Sequence, residues 1–60
     1  MSRPETRRIL EAFGVAVVNL EHAIDERAPV DDILEWDRVV AERTREVINL
    51  VETLRSRRIG

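Results

Sequence analysis

The chain has 60 residues, a net charge of −2, no cysteine and a single histidine, His22. At this length it forms one domain, residues 1–60, and its fold buries only about 60% of the surface of the unfolded chain. The composition excludes disulfides and argues against a metal or other cofactor, so association with another chain is the remaining way to stabilise so small a core.

The first predicted helix spans residues 3–27. Ser2 and Glu5 have the spacing of a capping box, and Pro4 falls in the first turn, where its missing N–H is not needed. From Ile9 onward apolar residues recur at spacings of three and four, the period of an amphipathic helix. Beside this stripe runs a second one with a seven-residue repeat, formed by Leu10, Val17 and Ile24.

A break at residues 27–30 separates this helix from a second one over residues 31–57. Pro29 disfavours helical geometry at the residue before it, and Asp31 or Asp32 is predicted to cap the second helix, with Glu35 completing a box with Asp32. So short a loop makes the helices antiparallel neighbours. The sequence therefore predicts an all-α fold, a two-helix hairpin whose small residues face large ones in three pairs: Ala23 with Trp36, Ala16 with Arg43, and Ile9 with Leu50.

The apolar surface is larger than one hairpin can cover. On the second helix it spans roughly 160° of the circumference, and Val15 and Val18 on the first helix point away from the main stripe. We therefore predict that two hairpins associate into a four-helix bundle. The predicted oligomer or partner interface consists of Leu10, Phe13, Gly14, Val15, Val17, Val18, Ile24, Leu34, Trp36, Ala41, Arg43, Ile48 and Val51.

Four residues in or near this surface have two interpretations each. Arg43 either pairs with a carboxylate across the interface or lays its stem on apolar neighbours. Trp36 is either a partner hot spot or a core residue that closes the loop end. Gly14 lies in a helix interior, where glycine is unfavourable. It indicates either a close backbone approach or a neutral substitution that the helix tolerates. His22 lies three and four residues before Asp25 and Glu26. It either forms a surface metal site or a pH-sensitive pair with them, or is a solvated side chain.

Charge is segregated along the chain. Acidic residues surround the break, and arginines gather at both termini, so a hairpin has one acidic and one basic end. This favours a dimer whose loops lie at opposite ends, an arrangement similar to that of the plasmid copy-number regulator Rop, with which no residues are matched. A Rop-like nucleic-acid contact is the third functional hypothesis and would use Arg3, Arg7, Arg55, Arg57 and Arg58. Glutamates dilute this cluster and no aromatic residue accompanies it, so the sequence disfavours nucleic acid as a partner.

The stretch at residues 17–22, with Pro29 and residues 36–40 after it, is similar in part to small helical antitoxins that inhibit Fic-type adenylyltransferases. The inhibitory helix of that family carries Ser or Thr, three residues, Glu, then Gly or Asn. Glu21 matches this pattern, whereas Val17 and His22 depart from it. The resemblance implies an antitoxin or small accessory subunit that a larger protein folds, which is the second functional hypothesis.

The first hypothesis is a non-enzymatic protein–protein interaction module, a small regulatory or accessory protein that works as a homodimer. No nucleophile, base and acid set, phosphate loop or convergent carboxylate pair is present, so no enzyme is predicted. The absence of a signal peptide, of cysteine and of a long apolar run predicts a cytoplasmic chain with no membrane partner. The use of arginine without lysine indicates a bacterial source.

Overall fold

The computed structural model describes residues 3–59, and the side chains of residues 3–58. This part of the chain consists of two helices, α1 at Pro4–Asp25 and α2 at Val30–Ile59, and contains no strand. The helices pack against each other as an antiparallel hairpin with overall dimensions of 47 × 18 × 13 Å. The prediction of an all-α helical hairpin is therefore confirmed.

The start of α1 has its proline in the first turn, as the sequence predicts. Pro4 occupies the first helical position and Arg3 is the N-cap residue, with no side-chain hydrogen bond at the cap. The carbonyl of Arg3 accepts the first helical hydrogen bond, from the amide of Arg7 at 3.1 Å. Ser2, the predicted capping residue, lies outside the described residues.

The end of α1 comes two residues earlier than predicted, because Arg27 adopts a left-handed backbone conformation with a φ of 55°. The amide of Arg27 donates to the carbonyl of Ile24 at 3.1 Å, and the amide of Ala28 donates to the carbonyl of Ala23 at 2.9 Å. This pair of bonds is a Schellman motif, which satisfies the last carbonyls of the helix and reverses the chain. Arginine here occupies a position that favours glycine.

Replacing Arg27 with glycine should stabilise the hairpin. Glycine adopts the left-handed conformation without the steric cost of a Cβ atom, so we expect Arg27→Gly to raise the free energy of unfolding by about 0.5 to 1 kcal/mol. Urea unfolding at one fixed protein concentration measures the change. Arg27→Ala, which removes the side chain but keeps the Cβ atom, should give no such gain, and an equal gain in both variants would contradict the strain at this position.

The start of α2 differs from the prediction by one residue. The carbonyl of Pro29 accepts hydrogen bonds from the amides of Asp32 at 2.9 Å and Ile33 at 3.2 Å, so the helix begins at Val30. Asp31 and Asp32 therefore lie inside the first turn, and the prediction that one of them is the capping residue is wrong. Their carboxylates still lie near the positive end of the helix dipole. At its other end α2 continues two residues beyond the predicted boundary.

The contact between the helices is narrow. Among the described residues only Ala16, 2% exposed, and Ala23, 7% exposed, are buried, and no large side chain is. Each predicted cross-helix pair lines a shared cleft. Ala16 and Ala23 of α1 thus lie beside larger side chains of α2, as close packing requires. Around them the larger apolar side chains are half-buried: Ile9, Phe13, Leu20, Ile33, Trp36, Val40, Val47 and Leu50.

Candidate interaction surface

The helical repeat places the remaining apolar residues on defined sides of the hairpin. Val17 follows Ala16 by one residue, so it points about 100° away from the line of contact between the helices. On α2, Val51 follows Leu50 by one residue and turns through the same angle. Because the two helices run in opposite directions, these equal rotations bring Val17 and Val51 to the same side.

Seven predicted interface residues form what we call the apolar face. Its six large members are between 39% and 59% exposed, and Ala41 is exposed as well. One stripe of the face lies on this side of α1. A second stripe runs along the outer edge of α2, where three residues each point about 160° away from the cleft residue two positions later. The face consists of Leu10, Val17, Ile24, Leu34, Ala41, Ile48 and Val51.

Two polar residues of α2 lie on the same side. The hydroxyl of Thr44 donates to the carbonyl of Val40 at 2.7 Å, so its hydrogen-bonding need is met within its own helix. Asp37 follows Trp36 by one residue and is exposed near the loop end of the hairpin. The face is therefore apolar at its centre and acidic toward the loop.

Val15 and Val18, also predicted for the interface, lie elsewhere. Val15 precedes Ala16 by one residue and is 59% exposed, about 160° around α1 from Val17; Val18 is 63% exposed. Gly14 adjoins them, and a Cβ atom there would meet nothing within 4 Å. Within the hairpin, therefore, Gly14 makes no close backbone approach, the first of its two interpretations. The apolar surface of α1 is divided between two sides.

The remaining predicted interface residues lie half-buried between or beside the two helices. The Arg43 guanidinium donates hydrogen bonds to two carboxylates of its own helix, Glu46 at 3.1 Å and Glu42 at 3.4 Å. Its Nε is buried and has no hydrogen-bond partner among the described residues. Trp36 lines a cleft at the loop end with Ala23. The side chain of Phe13 is half-buried on α1.

The side of α2 opposite Thr44 and Val51 carries a charged ladder. Arg38 donates to the Glu42 carboxylate at 2.6 Å and to the carboxylate of Glu35. The hydrogen bond from Arg38, aided by its charge, lowers the pKa of Glu35 from its usual value. These side chains are all exposed. Such i,i+3 and i,i+4 pairs are typical of a helix surface that stays in water.

The two ends of the hairpin differ in charge. Arg3 and Arg57 line one cleft at the terminal end, which brings together two arginines that are distant in sequence, and Glu5 and Glu46 line the same cleft. The other predicted nucleic-acid contacts, Arg7 and Arg55, are exposed, as is Arg58. At the loop end, the acidic residues are Asp25, Glu26, Asp31, Asp32, Glu35 and Asp37.

His22 forms an exposed pair with Glu26, with 3.1 Å between Nε2 and Oε2. Within residues 3–59 no group of three or more His, Asp or Glu side chains is arranged to hold a metal ion. Neither of the two described helices has a stretch apolar and long enough to cross a bilayer. Comparison with protein-family models, characterised proteins and solved structures finds nothing that matches this chain.

Proposed function

We propose that this chain is a non-enzymatic protein–protein interaction module, regulatory or accessory in role, that works as a homodimer joined through the apolar face. The observation that carries this proposal is the narrowness of the hairpin contact. Two alanines are buried, whereas the six large side chains of the apolar face are between 39% and 59% exposed. A surface of this kind marks an interaction site.

The exposed area supports association. The chain exposes 5150 Å², whereas a compact monomer of 7.0 kDa exposes about 4,000 Å². The excess of about 1,150 Å² is larger than the roughly 800 Å² that each partner buries in a standard protein interface. Two copies packed face to face remove this excess and enclose the half-buried residues Phe13, Leu20, Val40 and Val47 at the centre of a four-helix bundle.

Charge complementarity favours a second copy as the occupant of the apolar face. A copy whose loop lies beside the termini of the first sets acidic Asp25 and Asp31 near basic Arg3 and Arg55, at both ends of the dimer. The reverse arrangement sets like charges together. Exposed ion pairs contribute only about 0 to 1 kcal/mol each. They therefore determine the relative orientation of the two copies, whereas burial of the apolar face stabilises the dimer.

Sedimentation equilibrium over a concentration series, with circular dichroism on the same samples, tests the proposal. We expect a helical dimer, with helicity that falls as dilution dissociates it, because a separated hairpin retains little buried surface. A chain that stays monomeric across the series, folded or unfolded, would contradict homodimerisation. An unfolded monomer would lead instead to the second hypothesis, a chain folded by a larger protein.

A second candidate function has one observation in its favour. Val15 and Val18 stay exposed on the other side of α1 when the apolar face is covered. This surface supports the hypothesis of an antitoxin or accessory subunit that contacts a larger protein. Nucleic-acid binding at the terminal end has weaker support, because Glu5 and Glu46 share the cleft with Arg3 and Arg57. Binding that weakens with added salt and is lost on replacing Arg55, Arg57 and Arg58 would favour it.

A further inference from the structure

The α1 stripe of the apolar face is symmetric about one height of the hairpin, and this indicates how a second copy would lie on it. The exposed residues Leu10, Val17 and Ile24 are seven residues apart and centred on Val17. A large apolar side chain therefore lies at the same distance on either side of Val17.

The clefts between the helices place the middle of α1 beside the middle of α2. The cleft that holds Ala16, the residue before Val17, is also lined by Trp36, Val39 and Arg43. By the helical rotation, Thr44 and Val51 of α2 lie on the same side of the hairpin as Val17. A single two-fold axis at the height of Val17, parallel to the line that joins the two helices, therefore packs each helix on its own copy.

We infer that this two-fold axis passes beside Val17, with α1 packed antiparallel on α1 of the second copy. This inference rests on the proposed homodimer. Val17 then contacts Val17 of the second copy, and Leu10 contacts Ile24 of the second copy. On α2, Thr44 and Val51, which lie on the same side as Val17, approach α2 of the second copy. An interface of this kind is self-complementary, as a two-fold dimer requires.

The ends of the stripes agree with this arrangement. Arg55 follows Ile48 by seven residues and continues the α2 stripe toward the basic end. The two-fold axis reverses the direction of α2 and so brings Arg55 beside the acidic loop of the second copy. A dimer with both loops at one end instead packs α1 on α2 of the second copy, which separates the two Val17 residues and places Arg55 beside the other basic end.

Disulfide trapping of single-cysteine variants tests the axis directly, since the natural chain has no cysteine. We expect Val17→Cys to form a covalent dimer on mild oxidation, because a residue beside the axis meets its own copy within disulfide range. Leu10→Cys alone should not, because the two copies of residue 10 are about 21 Å apart along the helices. An equal mixture of Leu10→Cys and Ile24→Cys should yield the mixed covalent dimer. Val15→Cys, on the other side of α1, is the matched control.

The outcomes separate the orientation from the homodimer itself. If Leu10→Cys forms a covalent dimer as readily as Val17→Cys, the helices pack parallel and the inference fails. If sedimentation shows a dimer but Val17→Cys traps no more product than Val15→Cys, the axis is wrong while the homodimer stands. A monomer in sedimentation removes both.

Discussion

Val17→Glu should convert the homodimer into monomers. The two-fold axis sets the side chains of the two copies against each other, so the substitution removes a valine contact from both copies and places two carboxylates side by side. Burying a valine is worth about 1.5 kcal/mol or more, and like charges in an interface cost several kcal/mol. We therefore expect the dimer to weaken at least a hundredfold, which corresponds to about 2.8 kcal/mol, as measured by sedimentation equilibrium.

Val15→Glu is the matched control for this experiment. It makes the same change two residues away, on a side chain that is 59% exposed and turned to the other side of α1. The control variant should dimerise like the natural chain. If Val15→Glu dissociates the dimer and Val17→Glu does not, the interface lies on the side of Val15 and Val18, and the apolar face is not the dimer contact.

Ala16→Leu should destabilise the hairpin itself. Ala16 is the most buried residue of the described chain, 2% exposed, and lies level with Arg43. A leucine has no room between the helices, so it must separate them or turn out of the contact. Overpacking of this kind costs about 1 to 3 kcal/mol. Urea unfolding monitored by circular dichroism, at one protein concentration, measures the loss.

The control for overpacking is Val15→Leu, which introduces the same side chain at the neighbouring exposed position. We expect its free energy of unfolding to stay within about 0.5 kcal/mol of that of the natural chain. Equal stability of Ala16→Leu and the natural chain would mean that α1 and α2 do not approach each other at this height. Equal losses in the two variants would indicate an effect on α1 as a whole.

Most of the fold was readable from local patterns. The apolar periodicity predicted both helices, and Pro29 predicted the break, because proline geometry and helical spacing act within a few residues. The same periodicity predicted which alanines meet Trp36 and Arg43. The boundaries moved by one or two residues for reasons that the pattern does not contain. Arg27 takes a conformation expected of glycine, and the carbonyl of Pro29 starts α2 before either aspartate.

The candidate surface could be predicted only in part. The seven residues of the apolar face are exposed, and so are Val30 and Leu54, which the predicted interface leaves out. The sequence also grouped Val15 and Val18 with the face, since composition records that a segment is apolar all round and not where its neighbour lies. Gly14 had two interpretations for the same reason, because only the packed helices define whether a glycine has open space or a close neighbour.

The sequence by itself determined that this chain forms two amphipathic helices, that they fold back on one another, and that one hairpin is too small to bury its own apolar residues. These properties follow from residue spacing and chain length. The tertiary structure decided which side of each helix stays open and which parts of the two helices lie side by side. Both depend on the relative rotation and register of α1 and α2, which are set by Ala16 and Ala23 packing against larger side chains of α2.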